Sequence, residues 1–236
     1  MRTTLLTRNE RANAEAILRS QGLIASMPVD LQDKVFAAGE WRRVPARQPL
    51  FRAGDETSSV QGVASGVISL ESSAGSTEMT LVNIVSAPFW FGGQPQVDGS
   101  MRWITAIART EAHVFTIPAA IGNTLLLSDQ RLIWFVLQLV TKLFEVSMTA
   151  LADSLIPDSR LRCVATLLRI SDRRNSDPTP VILPISQNDL SQLCNLSRQT
   201  SGDVLRGLEA EGLLTLGYRS ITLNHPARLR ALADFV

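Results

Sequence analysis

The chain has 236 residues, 45% of them hydrophobic, and a formal net charge of +1. A chain of this size can bury the core of one large domain or of two medium ones. The small net charge neither requires nor excludes a nucleic-acid partner, because a basic face can be hidden in a neutral average. Lysine occurs only at Lys34 and Lys142, so nearly all the positive charge is arginine. Arginine suits phosphate and guanine contacts, but its excess is also explained by genome composition.

Three further features of the sequence predict a protein that lies in the reducing cytoplasm and does not span a membrane. Cys163 and Cys194 are too few for a disulfide framework and lack metal-site spacing, so we expect two buried thiols. The N-terminal segment lacks the continuous apolar stretch of a secretory signal. The longest apolar stretch, Leu132 to Val146, is interrupted by polar residues, and we expect it to be too polar to span a bilayer.

Two short helices, over residues 8–25 and 28–38, are predicted before a region of different character. From Trp41 to about Pro118, short β-rich runs are separated by glycines. These runs are Val60–Val63, Val67–Leu70, Met79–Val85, Trp103–Ala108 and His113–Ile117. Many short strands at turn-length spacing indicate an antiparallel roll or barrel.

One long helix is predicted from Ser128 to Leu155, a stretch without glycine or proline. Apolar residues recur in it every three or four positions, at Leu132, Phe135, Leu139, Leu143 and Val146. Such a stripe must be buried, either against the chain's own β-domain or against the same helix of a second copy. We favour the second copy, which predicts a homodimer.

A helix-turn-helix is predicted after a further helix at 159–171 and a polar loop at 172–180. Ser186 followed by Asp189 is typical of a helix start. Asn195 stands where the chain must reverse, and asparagine tolerates the left-handed conformation. Ser197 is placed to cap a second helix, which opens with hydrogen-bonding side chains as far as Ser201. This composition favours DNA readout in a major groove over a merely solvated face.

A β-hairpin follows the second helix and is predicted to form a wing. Leu213–Leu216 and Ile221–Leu223 flank a turn that begins with Gly217. Arg219 at the tip of this turn could meet a phosphate, although an exposed loop arginine is an equally simple explanation.

The predicted β-roll, the long helix and the winged helix-turn-helix follow one another in an order that resembles the CRP/FNR superfamily of transcription regulators. The resemblance covers roughly residues 25–230. The resemblance rests on the segments Leu50–Asp55, Val63–Val67, Leu196–Thr200 and Leu208–Leu213. It implies an α+β fold with an antiparallel, cyclic-nucleotide-binding-like β-roll in residues 1–127, a dimerisation helix at 128–156 and a winged helix-turn-helix at 157–236. It also implies a homodimer on a palindromic operator. We further expect a cytoplasmic location, RNA polymerase as a partner and a hinge near Ile156–Ser159.

The resemblance assigns the DNA contacts to the second helix and its neighbours. Arg198 would read a guanine edge. Gln199 replaces the glutamate of cyclic-AMP-responsive members, and Asp203 replaces a second arginine, so we expect a different operator. The full expected set is Ser186, Gln187, Ser197, Arg198, Gln199, Thr200, Ser201, Asp203, Arg206 and Arg219.

The effector pocket departs from the cyclic-nucleotide-binding pattern. Members of that type hold the ribose with a Gly-Glu pair and the phosphate with an Arg-Ser pair. Here the matching residues are Gly92 and Gly93, then Arg102 and Trp103. Loss of the glutamate, and an indole beside the phosphate site, argue against cyclic AMP. Either no effector is needed or an unidentified small molecule binds, and the aromatic residues near Trp90 are either a filled core or a pocket for an apolar ligand.

Other classes of function find little support in the sequence. There is no N-terminal cysteine cluster for an iron–sulfur centre. His113 and His225 are the only histidines, so we expect neither a haem, a metal cofactor nor an enzyme. An interaction module that has lost DNA binding remains as an alternative, because Asp203 would repel phosphate.

Overall fold

The computed structural model describes residues 5–55, 59–73, 79–93, 101–174 and 178–233. The chain forms two compact units. One comprises Met1–Ser73 with Val85–Glu145, and the other comprises Ala74–Ile84 with Val146–Val236. The predicted α+β architecture is confirmed, with an antiparallel roll, a long apolar helix and a C-terminal winged helix-turn-helix.

The helices and strands follow one another in the order expected of that architecture. The helices are Arg8–Ser20 (α1), Val29–Ala37 (α2), Ala119–Ser128 (α3), Ile133–Ser154 (α4), Ser159–Ile170 (α5), Gln187–Leu193 (α6), Arg198–Ala210 (α7) and Pro226–Leu232 (α8). The strands of the roll are Glu40–Val44 (β1), Pro49–Phe51 (β2), Ser59–Ser65 (β3), Val67–Ser72 (β4), Thr80–Ser86 (β5), Phe89–Gly92 (β6), Thr105–Ala108 (β7) and Ala112–Pro118 (β8). The C-terminal strands are Val181–Leu183 (β9), Leu214–Gly217 (β10) and Ser220–Leu223 (β11).

Two four-stranded sheets form the roll, in the orders β1-β8-β3-β6 and β2-β7-β4-β5. Successive side chains of a strand point to opposite faces, so the first sheet has two different surfaces. Its outer face carries Trp41 and Phe115 and packs against helices of the first unit. Its inner face carries Val63 and Val114 and encloses the interior of the roll.

An aromatic cluster fills the space between that outer face and the helices. Phe36, Trp41, Trp90, Phe115 and Phe135 are all buried there. The rings of Trp90 and Phe135 meet edge to face, with centroids 5.5 Å apart. The aromatic residue Trp90 is therefore part of a buried aromatic cluster.

Several short helices and strands were not predicted from the sequence. The strands β1, β2, β6 and β9 have only three to five residues each, too few for a clear alternation. The helix α3 contains no buried residue, so it shows no apolar stripe. The predicted helix from Ser128 is also shorter at its start. Asp129 instead caps a 3-10 turn over Gln130–Leu132 by accepting from the Arg131 backbone at 3.1 Å.

The prediction that five residues of the long helix contact a second copy is wrong for three of them. Leu132, Phe135 and Leu139 are 1%, 6% and 3% exposed, because they pack in the core of their own chain. Leu143 also packs there in part, and Val146 is half-buried. Helical periodicity shows that one face is buried but does not show what covers it. For these three residues, the β-domain of the same chain is the cover.

A second apolar face of α4 is exposed within the chain. It consists of Trp134, Leu137, Val140, Phe144, Met148 and Leu151, which follow one another at three- or four-residue spacing. By length and composition alone, Gln130–Ser154 could cross a membrane, contrary to our expectation from its polar interruptions. A helix that packs on a partner passes the same test. Only 17% of its apolar window is buried in the chain, so most of this surface needs other cover.

Within the second unit, a buried carboxylate connects the end of α4 to α5. Asp153 is 3% exposed and accepts from Nε of Arg169 at 2.8 Å and from Nη2 of Arg174 at 2.6 Å. Arg169 also donates to the Asn83 side chain of β5. Burial lowers the pKa of the Arg169 guanidinium, and the Asp153 carboxylate opposes that shift.

Substituting Asp153→Ala tests this buried centre. Removing the carboxylate leaves two guanidinium groups without their shared partner, so we expect a loss of about 3–5 kcal/mol in unfolding free energy. Asp33→Ala is the matched control, because Asp33 pairs with Arg19 at the surface, and we expect a loss of at most about 1 kcal/mol. Urea unfolding at one protein concentration measures both, and equal losses would contradict the assignment.

Candidate functional site

The first half of the helix-turn-helix is formed by local hydrogen bonds. Ser186 accepts from the backbone of Asp189 at 3.1 Å, and the Asp189 carboxylate accepts from the Ser186 backbone at 2.7 Å. This reciprocal capping box fixes the start of α6. At the turn, Asn195 has a φ of 49°, in the left-handed region. The predicted cap and turn are both confirmed.

The second helix, α7, begins directly after that turn. The Ser197 hydroxyl accepts from the Thr200 backbone at 3.0 Å and lies 2.8 Å from the Thr200 hydroxyl. Ser197 therefore holds the helix start, as predicted. Leu205 and Leu208 are fully buried on the inner face of α7.

The outer face of α7 carries five exposed polar side chains, Arg198, Gln199, Asp203, Arg206 and Glu209. The expectation of a DNA contact from Ser201 is wrong, because Ser201 is 0% exposed and its hydroxyl donates to the Arg198 carbonyl at 3.2 Å. Ser201 lies on the inner side of the helix, where small size allows α7 to pack closely.

The two arginines on this face, Arg198 and Arg206, differ in whether they form an ion pair. Asp203 and Arg206 form an exposed ion pair one turn apart, so neither is an isolated charge. Among the residues that the structure describes, no carboxylate pairs with Arg198. Arg198 is therefore the cation of this face that is available to an external acceptor.

Gln187 of α6 reaches the same face. A Cβ atom placed on Gly202 would lie 3.4 Å from Nη1 of Arg206 and 3.8 Å from Oε1 of Gln187. Gln187 thus approaches Gly202 from α6, and Arg206 lies beside the same glycine one turn further along α7.

The wing is a three-stranded sheet in the order β10-β11-β9, and β9 was not predicted. Gly217 pairs with Ser220, which leaves a two-residue tip of Tyr218 and Arg219. Arg219 is exposed there with a φ of 52°, and Tyr218 is 94% exposed. Tyr218 is not among the DNA contacts expected from the sequence.

In the roll, three of the four expected pocket residues converge on Ser59. Gly93 donates its backbone N–H to the Ser59 carbonyl at 3.0 Å, and Nη2 of Arg102 donates to the Ser59 hydroxyl at 2.9 Å. At Gly92, with a φ of 96°, a Cβ atom would lie 2.4 Å from the Ser59 carbonyl. This close approach requires glycine.

The fourth residue, Trp103, lies elsewhere. Its side chain is 62% exposed and does not line the roll cavity, so the expectation of an indole beside the Arg102 guanidinium is wrong. Arg102 points inward and is 5% exposed, whereas the next residue points outward. The aromatic neighbour of Arg102 is Phe51, whose ring centroid lies 3.8 Å from Cζ of the guanidinium.

Two of the cavities that described residues form lie in the first unit. The roll cavity has a volume of about 370 Å³, and its polar lining includes Arg42, Ser59, Gln61, Arg102 and Thr116. The second has a volume of about 290 Å³ and a mainly apolar lining of Leu23, Phe89, Trp90 and Leu139, with Lys142 beside them. Within the described ranges, no three histidine, cysteine, aspartate or glutamate side chains form a metal-binding group, and both cysteines are buried and unbridged.

Comparison with known protein families matches both parts of the chain. Residues 41–129 match the model of the cyclic nucleotide-binding domain, and residues 161–232 match that of the Crp-like helix-turn-helix domain. The chain belongs to the CRP/FNR superfamily. Its helix-turn-helix is therefore the DNA-binding domain of a transcription regulator.

Relatives and solved structures agree with this membership. The CRP-like protein Clp of Xanthomonas campestris pv. campestris (strain B100) is 24% identical over 230 residues, which cover 94% of this chain and 96% of that protein. The structure of FixK2 from Bradyrhizobium japonicum has a TM-score of 0.70 at 17% identity, covering 82% of this chain and 96% of that one. The c-di-GMP-responsive global regulator CLP of Xanthomonas campestris has a TM-score of 0.65 at 23% identity, covering 83% and 99%. The likeness to these structures shows a common fold.

Asn195 offers a test of the turn between α6 and α7. We expect Asn195→Ala to lower the unfolding free energy by about 1 kcal/mol, because alanine is less tolerant of a positive φ. Asn195→Gly is the matched control and should retain or raise stability, since glycine adopts this conformation freely. Chemical denaturation of both variants measures the difference. A less stable glycine variant would show that the asparagine side chain, and not its backbone conformation, stabilises the turn.

Proposed function

We propose that this regulator acts as a homodimer that binds a two-fold palindromic DNA site with one α7 helix in each half-site. The exposed Arg198, next to the capped start of α7, is the observation that carries the proposal. The N-terminal residues of a recognition helix are those that contact base edges in a major groove.

The polar face of α7 supports an operator unlike that of the cyclic-AMP-responsive members. An arginine fits the two acceptors of guanine, and a glutamine such as Gln199 fits adenine. Arg206 and Arg219 have the charge for phosphate contacts, and Gln187 and Thr200 have the hydrogen-bonding groups. Because Asp203 is paired with Arg206, it is a weaker obstacle to DNA than an isolated carboxylate. This pairing lowers the weight of the alternative, an interaction module that has lost DNA binding.

A second copy of the chain is the proposed cover for the exposed face of α4. The 22 residues of α4 extend over about 33 Å at 1.5 Å per residue. Trp134 and Phe144, 69% and 64% exposed, lie on an apolar stripe that matches the spacing of a two-helix seam. The proposed functional division at residues 127/128 and 156/157 treats this helix as one dimerisation element, with the DNA-binding domain after it.

Arg162 supports a hinge after α4. Its Nε donates to the Ile156 carbonyl at 2.8 Å, and its Nη1 donates to the Cys194 carbonyl at 3.2 Å. One guanidinium thus connects the segment that follows α4 with the end of α6. A shift at Ile156–Ser159 would be passed to the helix-turn-helix through this side chain.

We propose that the effector is not cyclic AMP or that none is required. Gly93 offers no carboxylate to a ribose hydroxyl, and this argument stands without Trp103. A second candidate is gating by a small apolar or aromatic ligand, which the 290 Å³ cavity beside Trp90 favours. The relative CLP responds to c-di-GMP, so that compound belongs among the effectors to test. The proposal includes RNA polymerase as a partner and a location in the cytoplasm.

The palindrome and its readout can be tested with purified protein. We expect sequencing of genomic fragments selected by the ligand-free protein to yield a palindromic site. We expect Arg198→Ala to weaken binding to that site roughly 5- to 150-fold, because one bidentate base contact contributes about 1–3 kcal/mol. Arg11→Ala, on the exposed side of α1, is the control and should bind as the parent does. Fluorescence anisotropy at one salt concentration measures both, and unchanged affinity of Arg198→Ala would refute the readout assignment.

The dimer seam can be tested with Phe144→Glu. A carboxylate in an apolar helix seam is costly to desolvate, so we expect the variant to sediment as a monomer at concentrations where the parent is a dimer. Because Phe144 is exposed within the chain, the fold should be retained. Gln138→Glu introduces the same charge at an exposed polar position of α4 and should remain dimeric. A Phe144→Glu variant that stays dimeric would place the interface elsewhere.

A further inference from the structure

Both cysteines of the chain lie in the second unit, where α5 and α6 pack against each other. Cys163 is in the second turn of α5, and Cys194 directly follows the last residue of α6. The Cys194 thiol donates to the Arg162 carbonyl at 3.9 Å, which places its sulfur beside the peptide bond that joins Arg162 to Cys163. The two thiols also form a side-chain hydrogen bond with each other. The fold thus brings together two sulfur atoms that are far apart in the sequence.

The surroundings of Cys194 favour its thiolate form. The hydrogen bond from Cys163 lowers the pKa of Cys194, and this effect is larger than the opposing effect of burial. The Thr166 hydroxyl, one turn after Cys163, interacts with the same sulfur, although it is buried and makes no hydrogen bond of normal geometry to a described residue. The positive charges of Arg169 and Arg162 lower the pKa of Cys194 further. Because buried hydroxyls are nearly always paired, Thr166 is a donor that a thiolate at Cys194 would use.

The two thiols differ in their readiness to react. The hydrogen bond to Cys194 and burial both raise the pKa of Cys163, so Cys163 keeps its proton when Cys194 has lost its own. The thiolate is the nucleophilic form of a cysteine. Cys194 is therefore the sulfur that reacts first with an oxidant, and Cys163 is the neighbouring thiol that can resolve the product.

We propose that Cys194 and Cys163 form a disulfide in response to a peroxide, and that this disulfide weakens the binding of the regulator to DNA. The Cys194 thiolate attacks one oxygen of hydrogen peroxide, so that an S–O bond forms, the O–O bond breaks and the released hydroxide takes up a proton to become water. The sulfur of Cys163 then attacks the sulfenic acid of Cys194. The S–S bond forms, the S–O bond breaks, and the hydroxide leaves with the proton of Cys163 as a second water.

A disulfide at this point acts directly on the helix-turn-helix. An S–S bond is about 2.05 Å long, much shorter than the contact between two unbonded sulfur atoms, so its formation draws the end of α6 towards α5. Cys194 immediately precedes Asn195, whose left-handed conformation directs the chain into α7. Arg162 holds the carbonyls of Cys194 and Asn195, at 3.2 and 3.5 Å. The inference rests on the proposed function, since it adds a control to the same DNA-binding helix.

The burial of the two thiols limits the size of the oxidant. Both cysteines are 0% exposed, so the reaction requires a brief local opening. The site lies close to the surface, because Gln192 and Asn195 on either side of Cys194 are exposed and α6 has only seven residues. Hydrogen peroxide is little larger than water and suits such an opening better than a bulky disulfide does. In the reducing cytoplasm proposed for this protein, the bond would be transient, as a sensor requires.

Peptide mapping and DNA binding of the same preparations test the switch. The reduced full-length protein is treated with hydrogen peroxide, alkylated and digested without reductant. We expect one cross-linked peptide pair that contains Cys163 and Cys194, and an affinity for the selected palindromic site that falls roughly 5- to 150-fold. Dithiothreitol should restore both the thiols and the affinity, which it would not do if oxidised methionines caused the loss. The proposal is overturned if both cysteines remain open to alkylation, or if the cross-linked protein binds DNA as the reduced protein does.

Single cysteine variants separate the roles of the two sulfur atoms. Cys163→Ala keeps the reactive sulfur without its partner, so we expect peroxide to leave a sulfenic acid at Cys194 that dimedone labels. Cys194→Ala lacks the reactive sulfur, and we expect no label at Cys163. Equal labelling of the two variants would overturn the assignment. If either variant does not fold, dimedone present during the oxidation of the parent protein maps the first reactive sulfur, and a label on Cys163 alone has the same meaning.

The double variant Cys163→Ala/Cys194→Ala is the control for damage elsewhere in the chain. It retains the methionines but has no thiol, so we expect peroxide to leave its DNA affinity unchanged. A loss of affinity equal to that of the parent would show that the cysteines do not cause the effect, and would overturn the proposal.

Cross-linking and DNA selection separate this proposal from the proposed function. Selection of DNA by the reduced protein, without formation of the cross-link, contradicts the disulfide and leaves the proposed function in place. Formation of the cross-link, without selection of any DNA by the reduced or the oxidised protein, contradicts the proposed function and supports the disulfide site.

Discussion

The helix α4 has two apolar faces, and its own chain covers only one of them. Adjacent residues show the contrast, since Phe135 is 6% exposed and Trp134 is 69% exposed. The covered face ties the first half of the helix, as far as Glu145, to the aromatic core of the first unit. The uncovered face is too long and too continuous to remain in water. Burial of the first face thus orients the second, and the proposed dimer depends on that orientation.

In the second unit, ion pairs and hydrogen bonds of charged and polar groups hold the helices in place. Asp153 holds two arginines at the end of α4, and Arg162 holds the carbonyls of Ile156 and Cys194. Buried ionic contacts add less net stability than apolar packing, but they accept only one geometry. The end of α6, directly before the turn of the helix-turn-helix, is consequently held by a directional bond. Such bonds suit the proposed dimer, in which two readout helices would have to match a fixed half-site spacing.

The roll retains the family's architecture with a different internal chemistry. Arg102 lies inside, stacked on Phe51 and bonded to Ser59, whereas Gly93 stands where the family resemblance leads us to expect a ribose-binding carboxylate. A second arginine, Arg42, enters the interior from β1. Shared fold therefore does not imply shared ligand, because specificity resides in a few inward side chains and not in the sheets that carry them.

The sequence by itself determined the features that depend on near neighbours in the chain. The capping box of Ser186 and Asp189, the left-handed turn at Asn195 and the cap at Ser197 involve residues no more than three or four positions apart, so local pattern sufficed. The spacing of strands and turns predicted the β-roll. The family resemblance then predicted how the roll, the long helix and the helix-turn-helix belong to one fold.

Only the tertiary structure decided which surfaces are inside. It placed Leu132 in the chain's own core, Ser201 on the inner side of α7 and Trp103 on the outside of the roll. It also brought Arg42 and Gln61 together in one cavity from separate strands. The physical reason is that a periodic apolar pattern fixes a direction around a helix or strand, whereas the neighbour in that direction is set by contacts between residues far apart in the chain.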